Sequence, residues 1–442
     1  MRALFAECGT MPPAWMKLGT HRPVRGALNA TLHTPARRDI LRSFKHRDFS
    51  IYFAGQTISM IGTWSQMLAV SWLVWRMTGS PLWLGVVGFA MQLPTLILGL
   101  AGGALADRFE RAPALRAVQI LSMLQALALA WLTISGALQL WHILILCLAL
   151  GTIYAFEFPV RLALVADVVG KDDLLNATSL TNASTHVSRV LGPAIAGLIV
   201  AWKGEGACFL FNAAAFLAFI AALSMMERVQ RTTAGRESKS VINSIKEGLA
   251  YLRAIPDARI SIALIAALAG IGMQFTTLMP MFAQEVFGGG ARQLGWLIAA
   301  SAVGSLLGAL WLAARPDATH LLGLAARSAL VFSIALIVFA IAGSIYPAMA
   351  LLAIMGLCFT ISFSSMATLI QREAPDHMRG RMMGLYTMAY MGIGPIGYLL
   401  AGFSARMIGA QPTVAISGLI CLVASAWIVA RMPRPGECRA LE

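Results

Sequence analysis

Two short pairs of ionisable residues stand inside otherwise apolar stretches of this chain. Glu157 precedes Arg161 by four residues and His186 precedes Arg189 by three, so each pair shares one face of a helix. A carboxylate in apolar surroundings either carries a proton in a reaction cycle or forms a structural pair with its neighbouring guanidinium, and both readings stay open for Glu157. His186 titrates near neutral pH and sits beside a fixed positive charge. Glu157, Arg161, His186 and Arg189 are therefore the candidates for proton or substrate coupling. Gln56, Trp64, Gln66, Gln92 and Gln274 add polar uncharged and aromatic groups able to line a cavity for a bulky amphipathic solute. Each of them alone serves equally well as an interhelical hydrogen bond or a belt aromatic. A third cluster, Gly103-Ala-Leu-Ala-Asp107-Arg108-Phe-Glu-Arg111, puts Asp107 four residues before Arg111, where the two can pair on one helical face.

The elements that must hold these groups are membrane helices. The chain is 58% hydrophobic and only 12% charged, against about a quarter charged in a soluble domain. A spanning helix needs about 20 apolar residues. Twelve segments qualify: Phe49–Leu73, Pro81–Ala106, Ala114–Ile134, Trp141–Leu162, Leu174–Ala201 and Ala207–Met226, then Ile260–Phe287, Gln293–Ala314, Leu321–Ala342, Tyr346–Ile370, Met378–Arg406 and Thr413–Arg431. Arg189 falls about 15 residues into its segment, roughly 22 Å deep. A charge there costs at least about 2.5–3.5 kcal/mol on insertion scales and must face the bundle interior or a watery cavity. Glu157 lies about 13 Å nearer the basic end by the same rise, so no direct bridge between it and Arg189 is expected.

Charge sets the orientation. Of the 34 Lys and Arg residues, 29 fall in alternate gaps or in the segment ends that border them, four in or beside the intervening gaps, and one, Arg189, in neither set. Basic loops resist translocation, which places both termini and the central loop in the cytoplasm. The expected organisation is a disordered tail over 1–36, a six-helix bundle over 37–226, a central loop over 227–258, a second bundle over 259–431 and a tail over 432–442. The halves echo each other. Gly99 and Gly103 reappear as Gly304 and Gly308, and Gly192-Pro193-x-x-x-Gly197 reappears as Gly394-Pro395-x-Gly397 followed by Gly402, at a period near 200. Glycines four apart let helix backbones approach closely in lipid, while proline bends a helix. The expected fold is all-α integral membrane, with twelve transmembrane helices in two parallel six-helix repeats.

The segment from Gly103 to Arg111 resembles the loop 2–3 motif of the major facilitator superfamily, with Glu110 and Ala112 as departures. The resemblance implies a latch that holds the halves together on the cytoplasmic side through Gly103, Asp107, Arg108 and Arg111. The Gly192, Pro193, Gly197, Gly394 and Pro395 sets resemble the Gly-Pro motif of that superfamily's exporters. Phe44-Lys-His-Arg-Asp-Phe49, Gly55-Gln56-x-x-Ser59, Thr78-Gly79-Ser80-Pro81, Phe158-Pro159-x-Arg161, Asn176-Ala177-x-Ser179-Leu180 and Arg379-Gly380-Arg381 resemble its bacterial branch of enterobactin, macrolide and multidrug exporters. Membership implies an inner-membrane secondary transporter exporting a drug, siderophore or metabolite by proton antiport. Import of a small solute and a non-transporting receptor or assembly role are the alternatives.

Other classes find little support. The net charge of +14 sits at the cytoplasmic ends of spans, facing anionic lipid, so nucleic acid is not an expected partner. The six cysteines form no CxxC pair, and neither a disulfide framework nor a metal site is indicated. Gly392-x-Gly394-x-x-Gly397 matches a dinucleotide fingerprint but lacks a preceding strand and contains Pro395. No nucleotide-binding lysine loop or hydrolase motif occurs. The chain is read as no enzyme and without cofactor, a monomer whose partners are a small-molecule substrate, protons and membrane lipid.

Overall fold

In the computed structural model, residues 41–106, 110–226, 256–315 and 321–430 are described. The expected tails, most of the central loop, and Asp107 and Arg108 lie outside the described residues. The described residues from Ser43 onward form one compact unit. All secondary structure among the described residues is helical: α1 (Arg47–Thr78), α2 (Pro81–Ala106), α3 (Arg111–Ile134) and α4 (Leu140–Met225), then α5 (Ala258–Val286), α6 (Ala291–Ala313), α7 (Leu321–Ala340), α8 (Ile345–Glu373), α9 (Gly380–Ile408) and α10 (Ala410–Ala430). Ten stretches among the described residues are long and apolar enough to cross a membrane. Large apolar side chains point outward along them, among them Trp131, Ile97, Leu198 and Phe403, as a body solvated by lipid requires.

α1 stands outside those ten because it carries Gln56, Ser59, Thr63, Ser65 and Gln66, and all five are buried against neighbouring helices. It ends where Gly79, at φ +55°, donates its N–H to the Trp75 carbonyl at 2.8 Å, a left-handed cap that glycine adopts without strain. The 86 residues of α4 are not one rod. Gly170 (φ +72°) and Gly204 (φ +80°) are non-helical, dividing it into stretches 140–169, 171–203 and 205–225. The sequence places loops there, but single glycine joints suffice. α5 tightens to a 3-10 helix over Gly272–Leu278 and widens over Phe282–Val286, and α9 has a wide turn over Met388–Gly392.

Backbone approach, not apolar burial, decides helix pairing in lipid. A Cβ at Gly308 would sit 2.6 Å from the Leu357 carbonyl oxygen, and one at Gly304 would sit 2.8 Å from the Ala353 Cα, so α6 and α8 are in backbone contact there. Gly356 of α8 presses on Ser301 of α6, and Gly151 of α4 presses on Met91 of α2. Around these lie interlocked aromatics, such as Phe282 and Phe339 with centroids 4.8 Å apart. α1 packs along α4, α2 lies against α9, and α4 lies against α6.

Candidate functional site

Glu157 is nearly inaccessible, and Arg161, one turn on, donates Nη1 to its Oε1 at 3.3 Å. The Gln119 amide lies against the same carboxylate, and Ser59 donates to Gln119 Oε1 at 3.4 Å. Arg161 also points at Met60 Sδ, 3.8 Å away. The i, i+4 pair read from the sequence is thus formed, on the face of α4 that meets α1 and α3. The Arg161 guanidinium is thus the carboxylate's one hydrogen-bond donor among the described residues, with the Gln119 amide alongside.

Arg189 is elsewhere. Its guanidinium lies 4.9 Å from the Trp64 ring centroid, a cation–π arrangement, and no carboxylate pairs with it among the described residues. Tyr398 of α9 lies beside the Gln92 side chain, packed on Gly88 of α2, and within electrostatic range of Arg189. Trp64, Gln92, Arg189 and Tyr398 thus gather from α1, α2, α4 and α9. His186 is half-buried, and its Nδ1 has no partner among the described residues. Beyond Tyr398 stands an aromatic group in α8 and α9: Phe363 lies 5.9 Å from Phe359 and 4.6 Å from Tyr390. A guanidinium, an amide and ring faces are the kinds of group that contact an amphipathic molecule.

The other cavity candidates are placed inside the helix packing. Gln66 donates to Gln125 at 2.9 Å and accepts from Asn212 at 2.8 Å, tying α1 to α3 and α4. Gln274 donates to the Ala269 carbonyl at 2.7 Å within α5 and lies beneath Gly397 of α9. Gln56 is 1% exposed, and neither amide atom has a partner among the described residues.

The Gly-Pro segments lie at helix crossings. Gly192 faces the Trp64 Cβ, and Ser65 donates to the Gly192 carbonyl at 2.9 Å. Five residues on, a Cβ at Gly197 would sit 2.9 Å from the Ala291 carbonyl oxygen and 3.2 Å from the Gly295 Cα of α6. A Cβ at Gly402 of α9 would likewise sit 3.1 Å from the Gly85 Cα of α2. Pro193 lies inside α4, whereas Pro395 starts the helix that follows the wide turn of α9. Trp75 Nε1 donates to Gln284 Oε1 at 2.8 Å, joining α1 to α5. All these contacts lie toward one end of the bundle, the end of the Gly79, Gly204 and Gly409 turns. Toward the other end of α9, a Cβ at Gly380 or Gly384 would meet nothing within 4 Å. At the start of α3, Arg111 pairs with Asp167 and donates to the Ala163 carbonyl at 3.0 Å, while Gly103 falls in the last turn of α2. Its expected partner Asp107 is outside the described residues.

Sequence reading missed Tyr398, Asp167 and Gly85. Tyr398 was detectable as the one aromatic between Gly397 and Gly402, but a long-range partner such as Asp167 leaves no local spacing to find.

A lipid-solvated helical body with a guanidinium and aromatics gathered between its helices has the make-up of a multi-pass membrane transporter. The chain belongs to the transmembrane secretion effector family of the major facilitator superfamily, which it matches over residues 40–440, within the efflux branch. It is 27% identical over 381 residues to the staphyloferrin A transporter of Staphylococcus aureus, covering 84% of this chain and 93% of that one. It is 26% identical over 384 residues to the enterobactin exporter of Shigella boydii, covering 86% and 90%. Its fold matches an inward-facing, unoccupied bacterial homologue of the human lysosomal transporter Spinster, with a TM-score of 0.70 at 14% identity, over 88% of this chain and 96% of that one.

Proposed function

We propose that this protein is a bacterial inner-membrane exporter that moves a small amphipathic organic molecule, a drug, siderophore or metabolite, outward in exchange for protons by alternating access. Twelve spans carry it: α1, α2, α3, three crossings from α4, and α5 to α10. They form two parallel repeats over 37–226 and 259–431, joined by a cytoplasmic loop at 227–258, with both termini cytoplasmic. The major facilitator halves are the standing example of such parallel repeats.

Glycine register supports the repeat. Gly151 and Gly356, Gly192 and Gly397, and Gly197 and Gly402 are each 205 residues apart, and each pair meets corresponding helices. Gly85 and Gly295, which receive the last pair, are 210 apart. The offset for α2 and α6 is therefore five residues longer than the Gly99 and Gly304 echo suggests.

The single observation that carries the mechanism is the pair of crossings, Gly197 on Gly295 and Gly402 on Gly85, at one end of the bundle that holds Arg189. Rocking the two bundles about the kinked α4 and α9 would part these crossings and bring the loop 2–3 cluster of Gly103, Asp107, Arg108 and Arg111 into contact. Arg189 and Trp64 hold the solute, and Arg189's unpaired charge suits an acidic or electron-rich group. Glu157, neutralised in part by Arg161, carries the proton, with His186 as a second titrating group. The Gly-Pro segments and the relatives' export roles favour outward transport.

Flux of a panel of siderophores and amphipathic dyes in proteoliposomes with an imposed pH gradient tests the reading. Counterflow of solute and protons is expected, and it disappears in Glu157→Gln and Arg189→Ala protein that size-exclusion chromatography shows to be folded. Co-directional flow establishes import, and absence of flux for every solute removes the transport reading.

A further inference from the structure

The face of α1 that meets α3 and α4 is a polar stripe inside the first bundle, apart from Arg189. Tyr52, Gln56, Ser59, Thr63 and Gln66 follow one another at helical spacing, and all are buried. Fourteen residues of helix separate the first from the last, about 21 Å at 1.5 Å each. Opposite them lie Gln119, Ser122 and Gln125 of α3, Tyr154, Glu157 and Arg161 of α4, and Asn212 from the last stretch of α4.

One end of this stripe is closed. Gln66 donates to Gln125 and accepts from Asn212, and Gln125 donates on to the Leu146 carbonyl at 3.3 Å, so that of these three amides only Asn212 Oδ1 lacks a partner among the described residues. Toward the Arg47 end the bonding thins to Ser59 on Gln119 and Arg161 on Glu157. The Tyr52 hydroxyl, both amide atoms of Gln56, the Thr63 hydroxyl, Gln119 Nε2 and the Ser122 hydroxyl are buried without partners among the described residues. Such groups are strongly disfavoured in a membrane interior unless something bonds to them. Tyr52 lies within electrostatic range of both Glu157 and Arg161. Those two charges cancel, which favours a neutral occupant over a metal ion. Water has the donors and acceptors to serve a hydroxyl, an amide and a carboxylate together.

We propose that α1, α3 and α4 enclose a hydrated seam from Tyr52 to the Gln66 plug, and that Glu157 takes up and releases its proton through these waters. The uptake step converts the Glu157 carboxylate and a hydronium ion into a neutral acid and a water, while Arg161 stays charged. The plug keeps the seam blind at its far end, so protons cannot run straight through the first bundle. This pathway rests on Glu157 being the coupling carboxylate, but hydration itself does not.

X-ray hydroxyl-radical footprinting of the full chain in nanodiscs reads the two separately, because radicals form on bound water. Tyr52 is expected to be modified faster than Phe282 and Phe332, which are equally buried in apolar packing. Gln56→Leu should return Tyr52 to the rate of those phenylalanines, whereas Gln56→Glu, which restores polar atoms, should keep it labelled. If Tyr52 in the unaltered protein reacts no faster than Phe282, the seam is dry and the proposal is overturned. If Tyr52 is labelled but Gln56→Leu keeps full proton counterflow, the seam is wet but is not the proton's route. Loss of counterflow in Gln56→Leu together with loss of Tyr52 labelling supports both parts.

Discussion

Single side chains in this protein are placed by what lipid will not solvate. The Glu157–Arg161 pair illustrates the point: neither charge is stable at that depth alone, and each is the other's main partner. Replacing Arg161 by Leu leaves a buried carboxylate without its counter-charge, a change that costs about 3–5 kcal/mol in buried pairs. Thermal unfolding of the purified protein should show this loss, and adding Glu157→Gln should recover most of it. Equal destabilisation of the single and double variants would mean that Arg161 acts by packing on Met60 and Phe158 instead. This pair was legible because its partners lie one turn apart on one helix. Gln66 was equally visible as a polar residue, but its part in the packing depends on Gln125 and Asn212, 59 and 146 residues away, and no local pattern specifies such partners.

Helices here meet where glycine removes the side chain, and two kinds of meeting have different consequences. Gly304 joins α6 to α8 within one proposed bundle, whereas Gly197 joins α4 to α6 between bundles. Gly304→Ala forces its methyl against the Ala353 backbone and should cost about 1–3 kcal/mol by overpacking, read as a lower unfolding temperature. Gly197→Leu should leave the unfolding temperature near that of the unaltered protein, because the bundles can part there, yet it should abolish transport. The reverse pattern, with Gly197→Leu unfolding and Gly304→Ala silent, would contradict this division. Composition made the apolar segments legible, and α2 begins and ends as read. The joints in α4 were not, because Gly170 and Gly204 each do with one residue what a loop does with several. The wide turns of α5 and α9 likewise arise from packing between helices and leave no signature in hydropathy.

For the whole molecule, orientation and closure are the measurable properties. Single cysteines placed at Ser135 and at position 240 in a cysteine-free background should react with an impermeant maleimide from opposite sides of oriented vesicles, position 240 from the cytoplasmic face. Labelling of both from one side would invalidate the topology. Closure at the glycine-crossed end is reinforced by the Trp75–Gln284 bond, worth about 0.5–1.5 kcal/mol net. Trp75→Phe should therefore raise labelling of a cysteine at Val200, which is buried beneath that end. Unchanged labelling would show that the glycine crossings alone hold the closure. The one-residue joint at Gly204 has a mechanical consequence of its own. Two long helices coupled without slack behave like a crank and its rod, so any swing of stretch 171–203 drives stretch 205–225 in the same stroke, and a flexible peptide spliced between them would absorb the motion and uncouple the machine.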